Sequence, residues 1–328
     1  MTFRSGRALG RLLGSLQDQN GLAETIVVDN GGGGPEIDEA RARPGVRVID
    51  AGENIGFAAG SNLGAREAES DVLVFLNPDT VVAPGAVAQL ARRLEDSTIG
   101  IAMARLRLLD HPERLNASGV DVHVTGIGWA AGYGEPADSV SEVGDVPSAS
   151  GTAMAIRAET FRELGGFAEE LFMYLEDLEL GWRARLAGLR VVVDPAADVF
   201  HEYEYGRNPR KNYYLERNRL IFCLSAYSGR QLLLLSPVLL ATELGMVGLA
   251  VKERWFQDKV AGWGWLVRNG KVVRRRRRAT QDLRRVRDRD LAEHLTATFS
   301  PGMVPVPAPL RLANPLVRGY WRLVKKAL

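Results

Sequence analysis

Cysteine is nearly absent from this chain: Cys223 stands alone among 328 residues. A single thiol excludes a disulfide framework and a cysteine-based zinc site, and it fits a reducing compartment. The glycines at 31–34 lack the Gly-Lys-Ser or Gly-Lys-Thr that completes a phosphate-cradling P-loop. No activated serine or cysteine signature of a covalent nucleophile is present. Residues 1–10 hold basic side chains but no apolar h-region, so cytoplasm is the expected compartment. A long apolar run occurs only late, at residues 232–251.

What is there describes a folded chain. With 46% hydrophobic and 25% charged residues it can bury a sizeable core, as one large domain or two smaller ones. The net charge of +2 conceals an asymmetry: residues 252–290 hold 14 Lys or Arg against 5 Asp or Glu, whereas residues 1–230 sum to −10. An acidic body is a poor binder of nucleic acid, so none is expected as a partner. The basic tail suits phosphate polymers or the anionic face of a membrane.

Short apolar runs alternate with helix-like stretches in the first half, the pattern of parallel βαβ construction. Helices are expected over 8–16, 62–69 and 84–94, and strands over 24–28, 46–50 and 71–76. Further on, 99–109 and 120–129 read as strands, 160–164 and 177–187 as short helices, and 190–193 as a strand. A sheet of this kind begins with a strand before its first helix, yet only residues 1–4 precede the turn at Ser5-Gly6.

Polar residues gather at the ends of these elements. Asn77-Pro78-Asp79 closes the apolar run 72–76, where an open α/β sheet binds ligands; it is either a turn or a carboxylate placed to hold a divalent cation. Asp29 ends another strand and is either an Asx-turn or an acceptor for a base N–H or ribose hydroxyl. Gly56, Gly60 and Gly64 form a small-residue stripe flanked by Asn54 and Asn62, polar groups that packing alone does not demand. Glu176, Asp177 and Glu179 crowd one helix start, where the dipole favours acids but mutual repulsion calls for distinct partners. Trp182 and Arg183 follow on that helix, and His201 follows the strand-like 198–200. It is a candidate metal ligand, in a context that His111, His123 and His294 do not share.

In this order, Val27-Val28-Asp29-Asn30, residues 54–64, residues 75–80, Ser150-Gly151-Thr152, Glu176-Asp177 with Arg183, and His201 resemble a family 2 inverting glycosyltransferase, in its bacterial rhamnosyltransferase-like branch. The resemblance implies a GT-A fold, an α/β architecture with a Rossmann-like mixed sheet flanked by helices. It further implies that Asp29, Asn54, Gly56, Asn62, Asn77, Asp79 and Arg183 serve the nucleotide-diphosphate sugar donor. Asp79 and His201 hold Mg2+ or Mn2+, Asp177 is the general base, and Glu176 orients the acceptor. An inverting transfer is one in-line displacement needing a base and a Lewis acid but no nucleophile, which agrees with the residue inventory. Two departures stand out: Thr2-Phe3-Arg4 occupies the place of the family's Thr-Tyr-Asn with its strand lacking, and Asn77 replaces the first acid of the DxD pair. An in-frame apolar strand of about five residues is expected upstream of Met1.

These considerations divide the chain into residues 1–225, the transferase domain, and residues 226–328, a helical, basic, membrane-associated region. Both flanks of the apolar run favour the cytoplasmic side, and Pro237 and Glu243 interrupt it, so a monotopic or re-entrant helix at the cytoplasmic face of the plasma membrane is expected. Trp255, Trp263, Trp265 and the arginines at 274–278 are expected at the lipid headgroups. The expected donor is dTDP-rhamnose, with UDP-galactofuranose as the alternative, and the acceptor a polysaccharide or polyprenyl-linked glycan. The reading from another class is a catalytically silent membrane-associated scaffold.

Overall fold

The computed structural model describes residues 1–202, 208–302 and 308–328. Helix α1 (Arg7–Leu16) forms because Leu9, Leu12, Leu13 and Leu16 recur at helical spacing and are buried together. Strand β1 (Thr25–Asp29), helix α2 (Pro35–Ala42) and strand β2 (Val46–Asp50) make one βαβ unit, with β1 and β2 parallel. Helix α3 (Gly56–Glu67) begins six residues before the expected start at 62. Its glycines let it lie close on β1: a Cβ at Gly64 would sit 3.1 Å from Val28.

Strands β3 (Val72–Leu76) and β4 (Thr80–Val82) flank the Asn77-Pro78-Asp79 turn, and α4 (Ala86–Arg93) leads to the long β5 (Ile99–Leu108). Then come β6 (Leu115–Ala117), β7 (Val120–His123), β8 (Gly128–Ala130), β9 (Gly144–Asp145) and β10 (Ala153–Arg157). The expected single strand over 120–129 is therefore a hairpin, because Gly126, at φ +78°, turns the chain. Helices α5 (Ala158–Glu163) and α6 (Glu176–Leu186) precede β11 (Arg190–His201). This strand outruns its expected end at 193 because the register shift between Asp194 and Asp198, around Pro195, lets pairing with β5 resume.

The main sheet has seven strands, ordered β3-β10-β5-β11-β4, with β6 beside β5 and β9 beside β11. It is mixed, as the resemblance implied: β10 runs antiparallel to both β3 and β5, while β11 is parallel to β5. The β1–β2 pair forms a separate two-stranded sheet. On its free edge Thr2 stands where a strand would end, donating to the Val28 carbonyl at 2.9 Å and accepting from the Asn30 N–H at 2.9 Å. A cavity of about 390 Å³ lies between β1 and β3, lined by Leu12, Val28, Phe57, Leu73 and Phe75.

The remainder is helical: α7 (Lys211–Ala226), α8 (Gly229–Lys252), α9 (Phe256–Arg268), α10 (Gly270–Asp282), the short α11 (Asp288–Leu291) and α12 (Ala308–Ala327). The two-residue β12 (Leu295–Thr296) pairs with β7 and joins this layer to the body. α8 opens with a capping box between Ser228 and Gln231. Only Gln231, Leu235 and Ala250 of its 24 residues are buried.

Candidate active site

The turn after β3 is built by backbone geometry. The Asn77 N–H donates to the Thr152 carbonyl at 2.9 Å, and the Thr80 hydroxyl donates to the Asn77 carbonyl at 2.7 Å. β4 then pairs antiparallel with the end of β11, Thr80 opposite His201, and Glu202 N–H donates to the Asp79 carbonyl at 2.9 Å. This ladder brings Asp79 and His201 together, with His201 Nε2 3.4 Å from Asp79 Oδ1. Behind them, His201 Nδ1 lies 3.0 Å from Asn116 Oδ1. An amide oxygen only accepts, so Nδ1 carries the proton and Nε2 is the nitrogen presented towards Asp79. Asn116 was not foreseen from sequence; it lies on β6, and nothing local marks it.

The second group is the acid pair at the start of α6. Asp177 Oδ2 accepts the Gly151 N–H at 2.8 Å and Oδ1 accepts the Leu178 N–H at 2.7 Å. Burial pushes the Asp177 pKa up, opposed by those N–H groups. Glu176 is raised further, well above the usual carboxylate range, by burial and then by the Asp177 charge. Its Oε2 is buried with no hydrogen-bond partner. Of the two, Glu176 is the harder to ionise, and Asp177 is the one whose carboxylate the backbone amides favour. Thr152, whose carbonyl holds Asn77, directly follows Gly151, whose N–H holds Asp177, so one short segment ties the two groups together.

A third group surrounds β1. Asp29 is buried, and its two oxygens accept N–H groups of Gly31 at 2.9 Å and Gly33 at 2.6 Å, so its immediate work is to order the loop. Asn30 accepts from Ile55 N–H at 2.8 Å and donates to Asn54 Oδ1 and the Gly56 carbonyl, both at 3.1 Å. Asn54 in turn accepts from Gly56 N–H at 3.0 Å. Gly56 has φ +86°, and a Cβ there would lie 2.6 Å from Phe172, so only glycine fits between this loop and the chain leading to Asp177.

Two of the expected donor residues are engaged within the fold. Asn62 accepts from Phe167 N–H at 2.8 Å and donates to the Phe167 carbonyl at 2.9 Å and to Glu169 at 3.0 Å, so it fastens α3 to the chain after α5. Arg183 is 1% exposed; it grips Glu179 with three bonds and caps the Leu164 and Gly166 carbonyls. A guanidinium so enclosed holds the acidic helix.

Among the described residues no cluster of three or more His, Cys, Asp or Glu stands ready to hold a metal unaided. Asp79 and His201 offer one carboxylate and one imidazole. A hard divalent cation bound through one or two protein ligands completes its shell with substrate phosphates and water, so the pair fits a cation that arrives with a diphosphate.

A family model described as Glycosyl transferase family 2 matches residues 1–165. The N-acetylglucosaminyl-diphospho-decaprenol L-rhamnosyltransferase of Mycobacterium tuberculosis is 27% identical over 259 residues, 70% of this chain and 84% of that protein. The low-salt glycan biosynthesis hexosyltransferase Agl10 of Haloferax volcanii is 26% identical over 192 residues, 56% of this chain and 60% of that protein. Among solved structures, GalNAc-T7 with UDP, GalNAc and Mn2+ aligns at a TM-score of 0.56 and 20% identity, over 66% of this chain and 46% of that one. The mannosyltransferase of Pyrobaculum calidifontis with GDP-Man and Mn2+ aligns at 0.51 and 15% identity, over 99% and 84%. These structural likenesses are of fold, a mixed sheet flanked by helices.

Proposed function

The chain belongs to glycosyl transferase family 2, and within that family we propose a metal-dependent inverting transfer of a sugar, with dTDP-rhamnose as donor, to a lipid-linked or polysaccharide acceptor. The observation that carries this reading is a pair of chemistries tied together by residues 151–152: Asp79 beside His201 at 3.4 Å, and an amide-bound Asp177 next to a Glu176 whose pKa is raised further. Supporting it are the decaprenol-linked substrate in the name of the mycobacterial relative and the Mn2+ in two structural neighbours.

In this mechanism Asp177 takes the proton of the acceptor hydroxyl while that oxygen attacks the anomeric carbon from the face opposite the leaving group. The bond from that carbon to the nucleotide diphosphate breaks, and the configuration inverts. Asp79 and His201 would hold a divalent cation, whose positive charge stabilises the departing diphosphate. Glu176, the harder of the two to ionise, is suited to keep its proton and donate to an acceptor oxygen. Asp29 and Asn54, through their loop contacts, shape the edge where the nucleotide binds. The test is transfer from labelled nucleotide sugars in the presence of Mg2+ or Mn2+. Activity lost in Asp79→Ala and in Asp177→Asn is expected; a chain that binds no nucleotide sugar would instead be the scaffold.

The membrane face is part of the same proposal. α8 is long and apolar enough to cross a bilayer by length and composition, but it is fastened sideways. Glu243, midway along, pairs with Arg219 of α7 at 2.5 Å and with Lys259 of α9 at 2.6 Å, and Tyr320 of α12 donates to the Leu234 carbonyl at 2.6 Å. A helix tied to the body at these points lies along the surface. Its outer stripe, Leu233, Leu240, Leu244 and Val251, is exposed, as are Val267 of α9 and Leu316 of α12. Of the arginine run, Arg276 is spent on Glu170 and Arg277 on the Leu224 and Tyr227 carbonyls, leaving Arg274, Arg275 and Arg278 exposed for headgroups. An in-plane attachment to an anionic bilayer follows. Flotation with anionic vesicles, lost in Leu240→Glu with Leu244→Glu, is the expected result; equal recovery of wild type and variant in the soluble fraction overturns it.

A further inference from the structure

The chain between α5 and α6 is unusual. Phe172, Tyr174 and Leu175, none of them glycine, have φ of 65°, 68° and 66°. Such backbone persists only where its surroundings hold it. Within the loop the Met173 N–H donates to the Leu171 carbonyl at 2.8 Å, closing a tight turn at Phe172, while the Leu175 side chain offers no cap to α6, so further support comes from outside the loop.

What holds it comes from α7. Asn218, 0% exposed, directs its amide nitrogen at three carbonyls of this loop, Leu171 at 3.0 Å, Met173 at 2.9 Å and Tyr174 at 2.7 Å. Its oxygen accepts from Arg217 Nε at 2.9 Å, and Arg217 Nη2 reaches the Glu170 and Leu171 carbonyls at 2.9 and 2.8 Å. Arg217 is itself held against the rings of Tyr213, Tyr214 and Trp265. Phe172 stacks on Tyr214 at 5.3 Å, and its carbonyl accepts the Ala58 N–H at 3.1 Å. Two residues beyond this clamp lie Glu176 and Asp177.

We infer that Asn218, backed by Arg217, is a positioning residue for the transfer: it locks the left-handed loop at 172–175 and thereby sets the Asp177 carboxylate against the Gly151 and Leu178 N–H groups. The inference rests on the reading of Asp177 as the base. It concerns residues outside the part of the chain that the family model matches. Loss of the lock lets the loop relax and the carboxylate drift, and a displacement of about 1 Å at a reacting group costs about 10²-fold in rate.

The test uses the full chain with Asn218→Ala. The expected result is a fall in kcat of about 10²-fold, with little change in KM for the nucleotide sugar. The acidic limb of the kcat–pH profile should also move to higher pH, since an Asp177 parted from its two N–H donors ionises less readily. A purely structural loss would lower the amount of folded enzyme and leave that limb in place. Asn218→Asp, of the same shape but without N–H donors, is expected to be as slow. If Asn218→Ala does not fold, Asn218→Ser, which keeps one donor in a smaller side chain, decides in its place. Wild-type kcat and pH profile in a folded variant, alongside an inactive Asp177→Asn, overturn the inference and leave the base intact. An active Asp177→Asn overturns the base reading instead.

Discussion

Two clusters of buried charge sit on either side of α7 and obey opposite rules. In the helical layer, Glu216 and Glu243 face Arg219 and Lys259 in a closed set of four ion pairs between 2.5 and 3.0 Å. Burial works against the Glu243 carboxylate, yet Lys259, Arg219 and the Trp263 N–H outweigh it and hold its pKa below the usual range. At the start of α6, Glu176 and Asp177 are neighbours with no ion-pair partner among the described residues, and both pKa values rise. Compensated charge fastens helices together. Uncompensated charge, costly to the fold, is what proton transfer needs, and this contrast separates the site from the scaffold around it.

The largest break in that comparison is Asp177→Asn. It should lower the transfer rate by about 10²–10⁴-fold, the usual range for a general base, while the melting temperature holds or rises because a buried charge is gone. Lys259→Met should do the reverse, costing about 3–5 kcal/mol by leaving Glu216 and Glu243 short of a partner, measurable by urea unfolding, with kcat per folded molecule little changed. A rate loss in the second variant as large as in the first would erase the distinction.

pH sharpens it further. The folded pKa values of Glu176 and Asp177 are raised, so their contribution to stability is full below the unfolded values and is lost as pH rises through the folded ones. Glu243 runs the other way: its contribution is present above the unfolded pKa and lost as pH falls through the folded one. Unfolding free energy followed against pH should therefore slope downward on the alkaline side in wild type and less so in Asp177→Asn. Activity should fall towards acid at a pH above that of an ordinary carboxylate. The smallest effect is a control at the surface: Arg41→Ala removes an exposed pair with Asp38, and stability should change by less than about 1 kcal/mol.

Much of the framework was legible in local pattern. Strand β2 matches its expected bounds, and β1, β3 and α1 lie within one residue of theirs, because alternation and leucine spacing are local signals. Helix α3 starts at Gly56, ahead of the expected 62, and its glycine stripe lies against β1 and Phe172, as small residues on a helix face allow. Strands β4 and β10 escaped notice. β4 is three residues long, and β10 is a short apolar piece of five. Asp79 and His201 were found because each follows a strand, whereas Asn116 and Asn218 were not. The one signal for Asn218 is its setting, a polar run Glu216-Arg217-Asn218-Arg219 directly before the apolar Leu220-Ile221-Phe222-Cys223-Leu224.

By itself the sequence determined the family, the order of strands and helices, and the residues standing at strand ends, since all of these follow from spacing and short motifs. Only the tertiary structure decided which polar groups are already spent. Asn62 is used by Phe167, Arg183 by Glu179 and two loop carbonyls, and Glu243 by Arg219 and Lys259. The physical reason is that a buried polar group is satisfied by whatever lies nearest in space, and most of these partners are distant in sequence. The same rule makes Asp177 stand out, because the fold brings it backbone amides and, among the described residues, no cation.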